Sequence, residues 1–182
     1  MDAENVFQSN AAELRELHDA ITITFKRRQG GPEPRRAWQE ACRRFHEGFD
    51  SLAFPGGLGR AWSLLRSGDP GTIEMVTQLL EADPYFFRSG YLKEDFIKQL
   101  CRMHLSEDQK KRLQQVVLAR IQDRDRREFR RFCRLARAVA DPAFKEQVTD
   151  LMGSDRVTSR HARWVLEYLN TSTAKPKRRR DN

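Results

Sequence analysis

The chain has 182 residues and a formal net charge of +8, and 38% of its residues are apolar, which is sufficient for one domain with a buried core. Its uninterrupted apolar runs reach only four residues, whereas a membrane span needs roughly 18. The acidic, polar N-terminus also lacks the basic and apolar segments of a secretion signal, so we expect a soluble protein.

The first half of the chain is predicted to contain four helices. Apolar residues three and four apart, from Leu14 to Phe25, predict an amphipathic helix over residues 10–27, although the alternation in ITITF would also suit a strand. A second helix follows the turn-rich segment 28–34 and has an apolar face that runs from Trp38 to Phe49. A short third helix begins near Leu58 and stops at Ser67 and Gly68.

The fourth helix is predicted over residues 70–82, because Asp69 can cap it and Pro70 suits the first turn. A fifth carries an apolar face from Leu92 to Met103, and the capping box SEDQ (106–109) begins a sixth that ends near Ile121. Three more are predicted over residues 126–139, from Asp141 and Pro142 onward, and over about 155–169. No segment has the pattern of a sheet, so the predicted fold class is all-α.

Internal similarity indicates a repeat in the second half. At an offset of 72 residues, DPGTIEMVTQLLEAD (69–83) aligns with DPAFKEQVTDLMGSD (141–155) without a gap, and both copies continue as helix, short turn, helix. The offset equals two units of 36, and the intervening helices (106–139) have the size of one such unit. Helix pairs of this length are the units of α-solenoids, because one pair cannot bury its apolar face alone.

The last unit (141–169) resembles a HEAT-like or armadillo-like α-helical repeat, and residues 69–100 resemble it more weakly. Asp155, Arg160 and Ala162, followed by Val165, Leu166 and Leu169, fall at that family's usual turn acid, Arg, and small and aliphatic positions. The resemblance implies a short HEAT-like stack of helical hairpins that binds protein or nucleic acid, and the alternative is an irregular α-helical bundle. We expect one helical domain over 1–170, with 1–54 as a possible N-terminal cap and 55–170 repeat-like.

Catalytic signatures such as G-x-S-x-G, H-E-x-x-H or a P-loop are absent from the sequence. The Gly-rich run PGGLGR (55–60) is interpreted as a helix-entry loop. Two spaced pairs, Cys42 with His46 and Cys101 with His104, could in principle bind zinc, but small thiols in a helical core explain them better. We interpret His18 and His161 as surface or core-edge residues, and we expect no cofactor, no metal and no catalytic residue.

Three cysteines far apart in the sequence are typical of free buried thiols in a reducing compartment, so the expected location is cytoplasmic. An aromatic connector, Tyr85, Phe86, Phe87 and Tyr91, follows the fourth helix. We expect two or three of these rings to fill the junction between helix pairs. The functional alternative is an exposed patch that stacks on bases or binds a partner.

The seventh helix, RREFRRFCRLARAV (126–139), is strongly two-faced. Six arginines fall within an arc of about 140°, namely Arg126, Arg127, Arg130, Arg131, Arg134 and Arg137. Like charges recur four residues apart, and each such pair costs roughly 0.2–0.5 kcal/mol, so these arginines need partners. Acids on a neighbouring helix or an external polyanion would supply them. The chain has 26 Arg and only 8 Lys, which weakens any single Arg cluster as a signal.

The C-terminal segment 171–182 contributes five positive charges and one negative, so it holds half of the net charge. Its basic residues are Lys175, Lys177, Arg178, Arg179 and Arg180, and its composition predicts a disordered tail. Together with the arginine helix it predicts a non-enzymatic module that binds a polyanion, most plausibly nucleic acid. The alternatives are a protein-interaction scaffold that meets an acidic protein surface and, less favoured, a nucleic-acid repair enzyme.

Overall fold

The computed structural model describes residues 3–123 and 128–171. Within these ranges it contains helices and no strand, which confirms the all-α fold class. The helices are α1 (Ala3–Arg27), α2 (Pro32–Ala53), α3 (Leu58–Arg66), α4 (Pro70–Ala82), α5 (Ser89–Leu100), α6 (Glu107–Ile121), α7 (Phe129–Val139), α8 (Pro142–Asp150) and α9 (Arg156–Asn170). A 3-10 turn, Leu151–Gly153, lies between α8 and α9. No helix in the described part is long and apolar enough to cross a bilayer.

The predicted start signals hold at several helices. The side chain of Asp69 accepts from the backbone N–H of Thr72 at 2.7 Å, and Asp141 caps α8 in the same way through Phe144 at 2.7 Å. At α6 both halves of the predicted capping box form, because Ser106 and Gln109 each accept from the other's backbone N–H. These bonds satisfy amides that have no partner inside the helix.

Three predicted boundaries were wrong. The seventh helix, predicted over 126–139, begins at Phe129, because Glu128 lies in a turn before it. The first helix begins at Ala3 rather than at residue 10, because Phe7 is buried against Phe54 and anchors the extra turns. The fifth ends at Leu100, and the backbone N–H of Met103 donates to the Leu100 carbonyl in a following turn. Met103 therefore packs against the core from a loop.

Contacts between helices follow two parallel rows. In one row α4 contacts α6 and α6 contacts α8, and in the other α5 contacts α7 and α7 contacts α9. Helices α4 and α6 run in the same direction, because Glu74 of α4 and Asp83 directly after it pair with Arg112 and Arg120 of α6. The predicted HEAT-like stack and the irregular bundle both accommodate these contacts, so the HEAT-like resemblance stays a prediction.

The apolar core has a large and a small part. The large part unites buried residues from α3 to α9 with Phe7, and the small part lies where α1 and α2 meet Phe86 of the connector. The long α1–α2 hairpin packs its base against α4 and the connector. The predicted single domain and the proposed capping role of residues 1–54 stay predictions.

Candidate anion-binding groove

Helix α7 has an apolar side that is buried and a basic side that is not. Its buried residues include Phe132, Cys133, Leu135 and Ala136, and burial of this stripe explains why a helix with so many like charges forms. On the opposite side Arg130, Arg134 and Arg137 are exposed and Arg131 is half-buried. The predicted site residues Arg126 and Arg127 lie outside the described residues, as do Lys175, Lys177, Arg178, Arg179 and Arg180.

Helix α5 lies beside this basic side and the two helices enclose a groove. The groove has a volume of about 330 Å³ and is lined by Ile97, Lys98, Cys101, Arg102, Arg131, Arg134, Arg137 and Ala138. Five of the lining side chains are cationic and none is acidic. A concave surface lined by one sign of charge concentrates its field and attracts counter-ions.

One arginine of the helix has an internal partner. Arg131 donates from Nε to an oxygen of Glu94 on α5 at 2.5 Å. Glu94 also lines a second, smaller depression of about 270 Å³ with Arg130, Arg131, Arg134 and Tyr168. Within residues 3–123 and 128–171, Arg130, Arg134 and Arg137 form no salt bridge. Internal pairing therefore accounts for one of the four described arginines.

Of the other acids near α7 in the sequence, three form salt bridges with described residues outside α7. Glu107 pairs with Lys110, Asp108 with Arg112, and Asp123 with Arg120. Asp95 is exposed, and Asp125 lies outside the described residues. Among the described residues, Glu94 is the carboxylate that forms a salt bridge with the basic side of α7.

The thiol of Cys101 lies in the wall of the groove and is half-buried. Burial raises its pKa above the usual range, and the nearby guanidinium groups of Arg134, Arg137, Arg102 and Arg131 oppose that rise. Cys133, on the buried side of α7, has a pKa raised by burial to about 12. Cys42 is half-buried rather than buried, so the expectation of buried thiols holds fully for Cys133 alone.

The aromatic connector is less buried than expected. Phe86 alone is buried, while Tyr85, Phe87 and Tyr91 are 67%, 45% and 49% exposed. The prediction that two or three rings fill the junction was wrong, because Phe87 lies in the turn before α5 and Tyr91 lies on the exposed side of α5. Phe87 still stacks on His18, with ring centroids 4.5 Å apart.

The zinc alternative finds no support, since the described residues hold no group of three or more His, Cys, Asp or Glu that could bind a metal. His161 is fully buried, which corrects its interpretation as a surface or core-edge residue. Its Nδ1 lies 3.1 Å from the Ile121 carbonyl, and its ring stacks on Phe129 with centroids 4.1 Å apart. This histidine packs α9 against α6 and α7.

Sequence reasoning missed Lys98 and Arg102 as groove residues. Lys98 lies on α5 and Arg102 lies in the turn that follows it, and only the packing of α5 beside α7 brings them near Arg134 and Arg137.

Comparisons with known proteins identify no relative: no family model matches the chain, and no curated protein or solved structure matches it significantly.

Proposed function

We propose that this protein binds a polyanion, nucleic acid, by placing phosphates in the groove between α5 and α7. The observation that carries the proposal is the groove lining, in which five cationic side chains meet and no acid does. Phosphates are the natural counter-charges for planar guanidinium groups, which bind two oxygens at once.

The energetics of the helix support the same conclusion. Arg130 and Arg134 lie four residues apart on one side of α7 without a compensating salt bridge in the described chain, an arrangement that costs roughly 0.2–0.5 kcal/mol. An external anion would remove this repulsion. Contacts of this kind hold the phosphate backbone and do not read base sequence, so we expect binding with little sequence preference.

The test is the salt dependence of binding to a fluorescently labelled duplex, measured by anisotropy. Arg134→Gln with Arg137→Gln removes two groove cations and should reduce the log–log salt slope by about two, one for each lost phosphate contact. Arg44→Gln with Arg66→Gln is the matched control, because it removes two exposed arginines outside the groove. Unchanged binding by the groove variant would refute the proposal.

The basic residues of 171–182 require a separate arm of this experiment. A chain that ends at residue 171 keeps the whole groove and removes the tail charges. We expect it to bind more weakly than the full chain while keeping its sensitivity to Arg134→Gln with Arg137→Gln. Loss of that sensitivity would place binding in the tail.

A protein-interaction scaffold is the second candidate, and the exposure of Tyr85, Phe87 and Tyr91 favours it. Exposed aromatic rings are typical anchors of protein-protein interfaces, and the cationic groove would suit an acidic partner. Poly-glutamate is a simple probe of this alternative. If poly-glutamate binds in the groove and neither DNA nor RNA binds, the ligand of the groove is an acidic protein and not nucleic acid.

A further inference from the structure

The distal part of the α1–α2 hairpin projects from the packed body. From Arg15 to Glu40 no residue is buried, whereas Leu14 and Ala41 at its base are. Near the turn Ile23 is 55% exposed and Phe25 is 46% exposed. This end of the hairpin therefore contributes little to the core.

The hairpin tip, residues 22–39, carries much of the protein's charge. Its basic residues are Lys26, Arg27, Arg28, Arg35 and Arg36, and Glu33 is its only acid, so its net charge is 5 − 1 = +4. The segment 171–182 also carries +4, so the rest of the chain sums to zero against the total of +8. The projecting tip is thus the main source of net positive charge before residue 171.

A cavity of about 660 Å³ lies at this tip. Its lining consists of Arg28, Gln29, Gly31, Pro32, Arg35, Arg36, Trp38 and Gln39. Three guanidinium groups and two amides thus face one concave space. The indole N–H of Trp38 is buried and has no hydrogen-bond partner among the described residues.

Aromatic contacts shape the tip. Phe25 and Trp38 pack edge to face with centroids 6.1 Å apart. The Arg28 guanidinium lies 3.4 Å from the centroid of the Phe25 ring and donates to the Phe25 carbonyl at 2.7 Å. Rings and guanidinium groups interleaved in this way are the combination that proteins use to bind unpaired nucleic-acid strands, phosphates on the cations and bases on the rings.

We propose that the hairpin tip is a second nucleic-acid contact, and that it binds an unpaired strand. Phosphates lie against Arg28, Arg35 and Arg36, and a base stacks at Trp38. The inference rests on the proposed function only in the class of ligand, since none of these residues lines the α5–α7 groove. A concave, donor-rich cavity suits phosphates and base edges better than it suits a flat membrane surface.

The fluorescence of Trp38 can report the binding of a ligand at the hairpin tip. In a chain with Trp62→Phe and Trp164→Phe, Trp38 is the sole tryptophan, and unpaired oligo-dT should quench its fluorescence. Arg35→Gln with Arg36→Gln should abolish the quenching, and Arg44→Gln with Arg66→Gln should leave it intact. Arg134→Gln with Arg137→Gln should also leave the quenching intact. The results therefore distinguish a wrong groove proposal from a wrong tip proposal.

A second measurement avoids the tryptophan substitutions. With labelled oligo-dT and the natural tryptophans, Arg35→Gln with Arg36→Gln should reduce the log–log salt slope by about 1.4, because each phosphate contact to a single strand contributes about 0.7. A tip variant with unchanged quenching and slope overturns the inference. Quenching by phosphatidylserine vesicles and not by oligo-dT or oligo-rU also overturns it, in favour of a membrane contact.

Discussion

Arg131 on α7 donates to Glu94 on α5 at 2.5 Å, and this ion pair lies at the edge of the basic groove. Both side chains are partly open to solvent, with 28% and 23% of their surfaces exposed. The carboxylate therefore competes with any external anion for the Arg131 guanidinium. Internal pairing and anion binding, the two interpretations of the arginine helix, therefore compete for Arg131.

Glu94→Gln should strengthen anion binding. Removing the carboxylate frees Arg131 for a phosphate and leaves every cation of the groove in place, so the log–log salt slope should rise by up to about one. Since partly exposed ion pairs contribute little to folding, the loss of stability should stay within about 1 kcal/mol. Anisotropy titrations at several salt concentrations and urea unfolding measure the two effects.

Glu74→Gln is the control for Glu94→Gln. It removes the same charge from a carboxylate that pairs with Arg112, between α4 and α6, away from the groove lining. We expect it to leave the salt slope unchanged. Equal strengthening by both variants would mean that net charge, and not the release of Arg131, governs affinity.

Cys101 gives a direct readout of groove occupancy. In a Cys42→Ser chain it is the only half-exposed thiol, since Cys133 is buried. Nucleic acid in the groove should slow its alkylation, both by covering the thiol and by neutralising cations that favour the reactive thiolate. Protection should disappear at high salt. Alkylation that stays equally fast under saturating nucleic acid would place the ligand elsewhere.

The pH profile of this alkylation tests the electrostatics of the groove. Guanidinium groups, Arg134 foremost and Arg137 next, oppose the burial that raises the pKa of Cys101. Arg134→Gln with Arg137→Gln should therefore move the midpoint of the rate profile to higher pH. A midpoint that moves to lower pH would show that greater solvation of the thiol outweighs the lost charges.

Local sequence signals predicted the helices well. The N-cap of α4 and the capping box of α6 form as expected, because both depend on side chains within three residues of the amides they satisfy. The start of α1 was missed although the signal was present, because Phe7 precedes Ala11 and Leu14 by four and seven residues and continues the same apolar helix face.

Only part of the site could be predicted, because the rest depends on contacts between segments that are separate in the sequence. The arginine arc of α7 follows from helical geometry, whereas Lys98 and Arg102 join it only because α5 packs alongside. The hairpin tip was interpreted simply as a break, since its basic residues are split by the turn at residues 28–34. Folding back of α2 on α1 brings Arg28 together with Arg35 and Arg36.

Lys93 should be the most sensitive lysine for stability. It is 2% exposed, and its Nζ pairs with Asp83 Oδ1 at 2.6 Å. Lys93→Met should lower the free energy of unfolding by roughly 3–5 kcal/mol, the usual cost of removing one partner from a buried pair. Lys98→Met, on the exposed side of the same helix, should change it by no more than about 0.5 kcal/mol. Similar values for both in urea unfolding would contradict the buried pair.

The capping aspartates should make the fold sensitive to acid. Hydrogen bonds lower the pKa of Asp69, Asp141 and Asp155 below the ordinary value of 3.8, chiefly from the Thr72 side chain, the Phe144 amide and the Thr158 side chain respectively. A carboxylate with a lower pKa in the folded state stabilises the fold above the unfolded-state pKa and loses that effect as the pH falls through the folded-state pKa. Replacing all three by Asn keeps the capping acceptors and removes the titration, so the urea midpoint should stay nearly unchanged at neutral pH and fall less steeply below about pH 4.

Replacing all three by Ala should lower the midpoint already at neutral pH, which separates loss of the cap from loss of the charge. An Asn variant with the acid profile of the natural chain would show that other groups govern acid unfolding.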